Sequence, residues 1–529
     1  MTMRLRRFDK KSICDLALWL LAVGFTASVA SANVAVPSIL GDHMVLQRDM
    51  PLPIWGWADA GEKVTVAIAG QRQTTTADDQ GKWKVMLTPL QVGEPLKLVV
   101  EGKNRVEIND VLVGEVWLCS GQSNMEWPVS QSWNGDLAIQ AARDSQIRLI
   151  TFNSPGLQIP LHDWPTSWEV CSPEAVANFS AVGYFFGHRL RELLGVPVGL
   201  IDNSWGGSAC ESWVRRDLLA DADVYGPLMQ RWQETEAKPE MRDSYVAFEQ
   251  AMQQWQHEYL ASKQLGTPAP PLPQRPNTQM VQQNRPANLY NGRLVPILPF
   301  GIRGAIWYQG ETNAGRAYQY RDLFPRMIQN WRDDWGQGNF PFYWVQLADF
   351  RDEKPEPGES DWAELREAQT MTADKLPQTG EAVIIDIGEA ADIHPRNKQE
   401  VANRLARLAL VDQYGQSFAS RSPRHEAMDR EDGKLLLSFR HVGGGLRTID
   451  DRKVHGFAVA GDDHRWVWAE AEIAKDGKTI SVWSEKVAAP IAVRYGWADN
   501  PVCNVYSREG LPLTPFRTDD WPGVTVDSR

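Results

Sequence analysis

Residues Val111–Met125 read VLVGEVWLCSGQSNM, an apolar run that ends in a small-residue turn. Its first part, Val111–Cys119, is apolar apart from Gly114 and Glu115. A short apolar run ending in a turn is the mark of a strand buried on both faces, as in a parallel sheet covered by helices. Ser120 and Gly121 then turn the chain sharply into a helix start at Gln122-Ser123-Asn124-Met125. Such a turn presents the Ser123 hydroxyl at the strand end, as in a nucleophile elbow, and aims free backbone N–H groups at an anion. An ordinary β–α turn with a capping serine fits the same letters.

The same alternation recurs along the chain. Ile147–Phe152, Val196–Asp202, Ile302–Gln309, Phe342–Leu347 and Ala382–Ile387 read as further buried strands. Between them Ala181–Leu194, Tyr318–Trp335, Trp362–Leu376 and Lys398–Tyr414 carry helical periodicity. The pattern predicts an α/β domain over residues 110–415, with helices on both faces of a parallel sheet. Segment 212–295, with a polar helical stretch (Tyr245–Lys263) and the Pro-rich Pro268–Pro276, reads as an insertion over one rim. Residues 33–109 alternate polar and apolar positions in short runs (Leu52–Trp57, Lys63–Ile68, Lys82–Leu87, Leu96–Val100), as in a small β-sandwich. Residues 430–517 are β-rich again.

The remaining composition narrows the class. A chain of 529 residues suggests about three domains. A formal charge of −12 argues against a nucleic-acid binder, which wants a basic face. The 23 Trp outnumber the 16 Phe and 12 Tyr, and indole faces suit the C–H patches of sugars. Residues 1–32 carry a basic start, an apolar stretch from Leu16 to Phe25 and Ala30-Ser31-Ala32. That is a secretory signal cleaved before Asn33, too short in its apolar part to span a membrane, and it predicts a secreted or periplasmic protein. Four Cys remain after it, either paired in one of three ways or free and buried. None has metal-ligand spacing, so no metal is expected.

In α/β sheets ligands bind beyond the carboxyl ends of the strands, so the residues after each apolar run are the candidates. Ser123 follows the first run. Asn203-Ser204-Trp205-Gly206-Gly207-Ser208 follows Val196–Asp202, and paired glycines let a backbone N–H approach a ligand. Gln309-Gly310-Glu311-Thr312-Asn313 comes after Ile302–Trp307. Asp392-Ile393-His394-Pro395 follows the last run, with a carboxylate two residues before an imidazole. A Ser, a Gly, an Asn and a His in that order are the parts of an acyl-transfer hydrolase: nucleophile, oxyanion donors and base.

At these positions the chain resembles a known family. Gly114-Glu115-Val116-Trp117 with Ser120–Met125, Trp205-Gly206-Gly207, Trp307–Asn313 and Ile393-His394-Pro395 are similar to the sialate O-acetylesterase family of the SGNH-hydrolase superfamily. The resemblance extends to Met44–Trp57, Arg494–Trp497 and Gly510-Leu511-Pro512, nearly the whole chain after the signal. It implies a three-layer α/β/α, flavodoxin-like fold flanked by β-sandwich-like regions. It also implies deacetylation of sugars without cofactor or metal. By position it makes Ser123 the nucleophile, His394 the base and Gly207 an oxyanion donor, with Gly206 as neighbour alternative. Asn313 or Gln309 supplies the third donor. The superfamily's Asp stands three residues before the His, where this chain has Ala391. Asp392 is therefore either the triad acid, or the His leans on a backbone carbonyl or Glu311.

Trp205, Trp307, Trp127, Glu311 and Arg396 are the expected substrate-binding residues, with Trp213 a further stacking candidate. A sialate carboxylate wants a basic clamp such as Arg396 or Arg303, and a neutral plant-wall polysaccharide such as xyloglucan or xylan wants a Trp-lined groove. The Trp count and the exported, acidic chain tilt the expectation to the plant-wall polysaccharide. A catalytically silent carbohydrate-binding protein and a lipase or thioesterase are the competing classes.

Overall fold

The computed structural model describes residues 33–529; the expected signal, residues 1–32, lies outside them. Arg105–Gly121 (β1) is the longest strand and the axis of an eleven-stranded mixed sheet. Its first half pairs antiparallel with Leu96–Glu101, so the N-terminal β-region runs without a break into the central sheet. Its second half is buried at every residue.

Five more strands pair in parallel with β1 or with one another: Ile147–Thr151 (β2), Val198–Asp202 (β3), Gly304–Tyr308 (β4), Phe342–Val345 (β5) and Thr379–Ala382 (β6). Across the sheet they run β6-β5-β4-β1-β3-β2. The chain thus leaves β1 toward β2 and β3 on one side, then crosses to β4 on the other. The strand end where the order reverses is where α/β sheets bind ligands.

Alternate residues of each strand serve two cores. Val116, Leu118, Ile201, Ala305, Trp307, Phe342 and Trp344 join one apolar cluster with Ala317–Trp335 (α2) and Asp361–Lys375 (α3). Trp117, Cys119, Val198, Leu200, Ile306, Tyr308 and Tyr343 join the other with Ala181–Leu194 (α1) and Lys398–Asp412 (α4). Helix starts carry the expected caps. Ser180 Oγ accepts from Gly183 N–H at 3.0 Å, and Ser360 Oγ accepts from Ala363 N–H at 3.0 Å.

One strand differs from expectation. Ala382–Ile387 reads as a strand, yet β6 ends at Ala382. Val383, Ile384 and Ile385 are buried, but their ladder partner β5 has stopped at Val345. Apolarity there reports burial, not pairing. The Trp surplus also has a different destination: Trp117, Trp213, Trp307, Trp331 and Trp344 are fully buried core residues.

In segment 212–295 the helix Pro239–Leu265 buries Tyr245, Phe248, Met252, Trp255 and Tyr259 along one face. Lys263 Nζ ties it to Asp163 at 2.5 Å and to the Val36 carbonyl at 2.9 Å. All four remaining cysteines are free thiols. Residues Arg424–Ser507 add short antiparallel strands with their own apolar cluster. Arg366 joins this region to the α/β core by donating to the Ala498 and Asp499 carbonyls. Among the described residues, no helix is long and apolar enough to cross a membrane.

Candidate active site

Everything at the site follows from how β1 ends. Gly121 has φ +139°, and a Cβ there would stand 2.2 Å from the Tyr308 carbonyl oxygen. Only glycine lets β1 and β4 close together while the chain turns out. Gln122 N–H donates back to that same carbonyl at 2.9 Å, and the short helix Ser123–Glu126 begins at once. Ser123 is its first residue, and its N–H finds no partner among the described residues, as helix geometry dictates.

The loop after β6 brings His394 over this turn. His394 Nε2 and Ser123 Oγ are 2.8 Å apart. Asp392 Oδ1 accepts the His394 backbone N–H at 2.9 Å and lies 3.4 Å from His394 Nδ1. Trp127 stacks on the imidazole at 4.9 Å between centroids, 18° from parallel. Burial and the Lys398 charge lower the proton affinity of His394, while Asp392 raises it. The net shift is downward, so the imidazole is neutral near pH 7 and able to accept a proton.

The loop after β3 supplies the second wall. An ideal Cβ on Gly206 would be 3.5 Å from Ser123 Cβ, so this loop abuts the serine. Gly206 N–H is spent on Glu126 Oε2 at 2.6 Å. Gly207, at φ +67°, has an N–H that makes no hydrogen bond with any described residue. Of the two neighbours, Gly207 is the one with a donor left for a ligand.

After β4 the two amide candidates separate. Gln309 gives both amide hydrogens away, to Ser208 O at 3.1 Å and Asn313 Oδ1 at 2.7 Å, and its Oε1 accepts from Tyr320. With no hydrogen left, Gln309 is corrected to a buried brace rather than an oxyanion donor. Asn313 donates one amide hydrogen to Glu211 Oε2 at 2.9 Å and keeps the other. Glu211 is fixed in turn by Arg316 at 2.6 Å.

The substrate-binding expectations fare unevenly. Trp307 is corrected to core: it is fully buried and packs edge-on against Trp213 and Trp331. Trp213 is corrected with it. Glu311 is also corrected, because it faces inward: its Oε1 accepts from Asn124 at 2.6 Å and its Oε2 is buried without a partner. Arg303 sits at the opposite end of the sheet on Glu115, so it is no clamp at this site. Arg396 is exposed at the rim and paired with Glu389 at 3.6 Å. Trp205 is half-buried beneath the guanidiniums of Arg275 and Arg293, 4.7 and 4.3 Å from its ring centre. Trp127 supports the imidazole.

Three supporting residues escaped sequence reasoning. Asn124 donates to Glu311 and, at 3.0 Å, to the Ile393 carbonyl, tying the nucleophile's helix to the His394 loop. Lys398 Nζ donates to Asn124 Oδ1 at 2.5 Å from a fully buried position. Burial pulls this ammonium down to about 7, against the raising effect of Glu311, Asp392 and Glu389. Burial likewise pushes Glu311 above the usual carboxylate range. Glu211 is the third. No cluster of three or more metal-ligating His, Cys, Asp or Glu occurs among the described residues.

Comparison with known proteins places the chain in a family. The family model described as carbohydrate esterase, sialic acid-specific acetylesterase, matches residues 113–247 and 249–409. A carbohydrate acetylesterase of known structure from Xanthomonas citri is 38% identical, with a TM-score of 0.77, covering 92% of this chain and all of its own. Sialate O-acetylesterase of Mus musculus is 28% identical over 94% of this chain and 96% of its own. The Homo sapiens protein of that name is 27% identical over 92% and 93%.

Proposed function

This chain belongs to the sialic acid-specific acetylesterase family of carbohydrate esterases, and from that premise we propose that it removes acetyl groups from sugar hydroxyls through a Ser123 acyl-enzyme. It is a carboxylic ester hydrolase of the carbohydrate acetylesterase type. The observation that carries the mechanism is the 2.8 Å contact between Ser123 Oγ and a neutral His394, with unspent donors beside it. The three-layer SGNH arrangement is our reading of the two helix pairs that share alternate strand residues.

In this mechanism Ser123 Oγ attacks the acetyl carbonyl while His394 Nε2 takes its proton. The oxyanion rests on the Ser123 and Gly207 N–H groups and the free hydrogen of Asn313. His394 then returns the proton to the departing sugar oxygen. Water, deprotonated by the same imidazole, releases acetate and restores Ser123. Asp392 steadies the imidazolium formed in each half.

The substrate we propose is an acetylated oligosaccharide or polysaccharide of plant-wall type, such as xyloglucan or xylan. The expected carboxylate clamps support this choice by their absence, since Arg303 is remote and Arg396 is paired with Glu389. O-acetylated sialate is the second reading, favoured by Arg275, which lies over Trp205 with no acidic partner among the described residues. Residues 1–32 are proposed to export the chain, which N-terminal sequencing of the secreted protein tests by a start at Asn33.

The test is acetate release from acetylated xyloglucan, acetylated xylan and an O-acetylated sialic acid, with wild type beside Ser123→Ala. Release by wild type alone supports the reading, and the preferred ester names the sugar. No release from these or from an aryl acetate refutes it.

A further inference from the structure

Next to Ala209 and Thr312 a second feature stands unassigned. A cleft of about 320 Å³ opens between the helix Gly226–Glu236, the Gln279–Asn284 loop and the loops after β3 and β4. We propose that it is the subsite for the sugar unit next to the acetylated one, so that the enzyme acts on oligosaccharide chains rather than single sugars. The proposal rests on Ser123 being the esterase nucleophile.

Three observations carry it. The cleft reaches the two loops that carry the oxyanion donors: Ala209 and Thr312 line it, two residues after Gly207 and one before Asn313. Gln283 Nε2 lies 3.4 Å from where a Gly207 Cβ would stand, and Thr312 N–H donates to Gln122 at 3.5 Å. Glu211, which fixes Asn313, forms part of the wall.

Its lining is chemically mixed in the way a pyranose requires. Trp232 is half-buried, packs against the main core and borders the cleft. Around it the side chains of Arg231, Gln279, Asn284 and Thr312 make no hydrogen bond or ion pair with any described residue. A sugar ring offers an apolar C–H face to an indole and a rim of hydroxyls to donors and acceptors. The volume falls within the range of sites that enclose small ligands, roughly 300–1,000 Å³.

The lining carries one spare guanidinium, which can donate hydrogen bonds to glycosyl hydroxyls. Arg316 and Glu211 satisfy each other at 2.6 Å, leaving Arg231 as the single free cation in the lining. The inserted segment 212–295 thereby acquires a role: both the Trp232 helix and the Asn284 loop come from it.

The experiment uses the purified full chain and two readouts. The first is kcat and KM on an acetylated xylo-oligosaccharide and on an aryl acetate, for wild type, Trp232→Ala, Trp232→Phe and Asn284→Ala. Trp232→Ala should lower the ratio of oligosaccharide to aryl acetate kcat/KM about tenfold, mainly through KM, and the Phe variant should recover part of it. The second is calorimetric binding of the same oligosaccharide without acetyl groups. This reads the subsite even where no ester is cleaved, and so separates its failure from that of the esterase reading. Weaker binding by Trp232→Ala, or by Asn284→Ala if the first variant does not fold, supports the proposal. An unchanged ratio with unchanged binding, or an equal loss on both esters, overturns it.

Discussion

Asp392→Asn tests how the imidazole is supported, and the geometry sets the size of its effect. Asn can still accept the His394 backbone N–H that Asp392 accepts at 2.9 Å, so the loop keeps its shape and only the charge is lost. The carboxylate lies 3.4 Å from Nδ1 and its side chain is 44% exposed. At that separation the ion pair formed in the transition state is worth about 5 kcal/mol at an effective dielectric of 20 and about 1 kcal/mol in water. Exposure puts the pair toward the wet limit, so about 1–2 kcal/mol is lost, a fall of roughly 5–30-fold in kcat. The sign of the pH effect is also fixed. Asp392 raises the proton affinity of His394, so its removal moves the acid limb of kcat/KM to lower pH. Initial rates on an aryl acetate from pH 5 to 9 read both quantities. A loss of about 10⁴, as where a buried acid sets the tautomer, would refute the exposed-support reasoning. So would a loss under twofold with an unmoved limb.

Ser123→Ala should abolish turnover while leaving the thermal midpoint of wild type, as rates and calorimetry together show. Asn313→Ala should cost about 10²–10³ in kcat, the usual price of one oxyanion donor, with KM little changed. Gly121→Ala drives a Cβ against the Tyr308 carbonyl, so soluble protein should have lost both stability and turnover, read by melting and by rates. Lys398→Met removes a charge that holds down His394 protonation, so the acid limb should shift to higher pH. An unmoved limb in that variant would mean the ammonium does not act on the imidazole.

Much of this site is legible in the sequence because strand ends announce themselves. Val111–Cys119 followed by Ser120-Gly121 fixes where Ser123 emerges, and the paired glycines after Asp202 fix the facing wall. What cannot be read is direction. Trp307 stands immediately before a rim loop, yet strand alternation turns it into the core with Ala305 while Ile306 and Tyr308 face the other side. Gln309 and Asn313 are chemically equivalent on paper and differ only in which hydrogens neighbours have taken. Ile384 is as apolar as any strand residue but lacks a neighbour to pair with.

Lys398 shows why such residues stay hidden. It is the first residue of α4, where the positive end of the helix dipole disfavours a cation, and it is fully buried. Drawing a lysine from 10.5 to about 7 corresponds to a burden on the order of 5 kcal/mol on its charged form. That burden is complete below about pH 7 and fades as pH climbs toward 10.5, so this one group makes stability rise with pH across that window. The chain offsets part of it with Asn124 and with the faces of Tyr308 and Trp127, 5.2 and 5.8 Å away. Each of those partners is tied to the catalytic turn or its base: Asn124 follows Ser123, Trp127 stacks on His394, and the Tyr308 carbonyl accepts from Gln122 N–H just before Ser123. The groups that relieve the buried ammonium are therefore the groups that hold serine and imidazole together. A cost in folding is converted in this way into a fixed geometry and a neutral base.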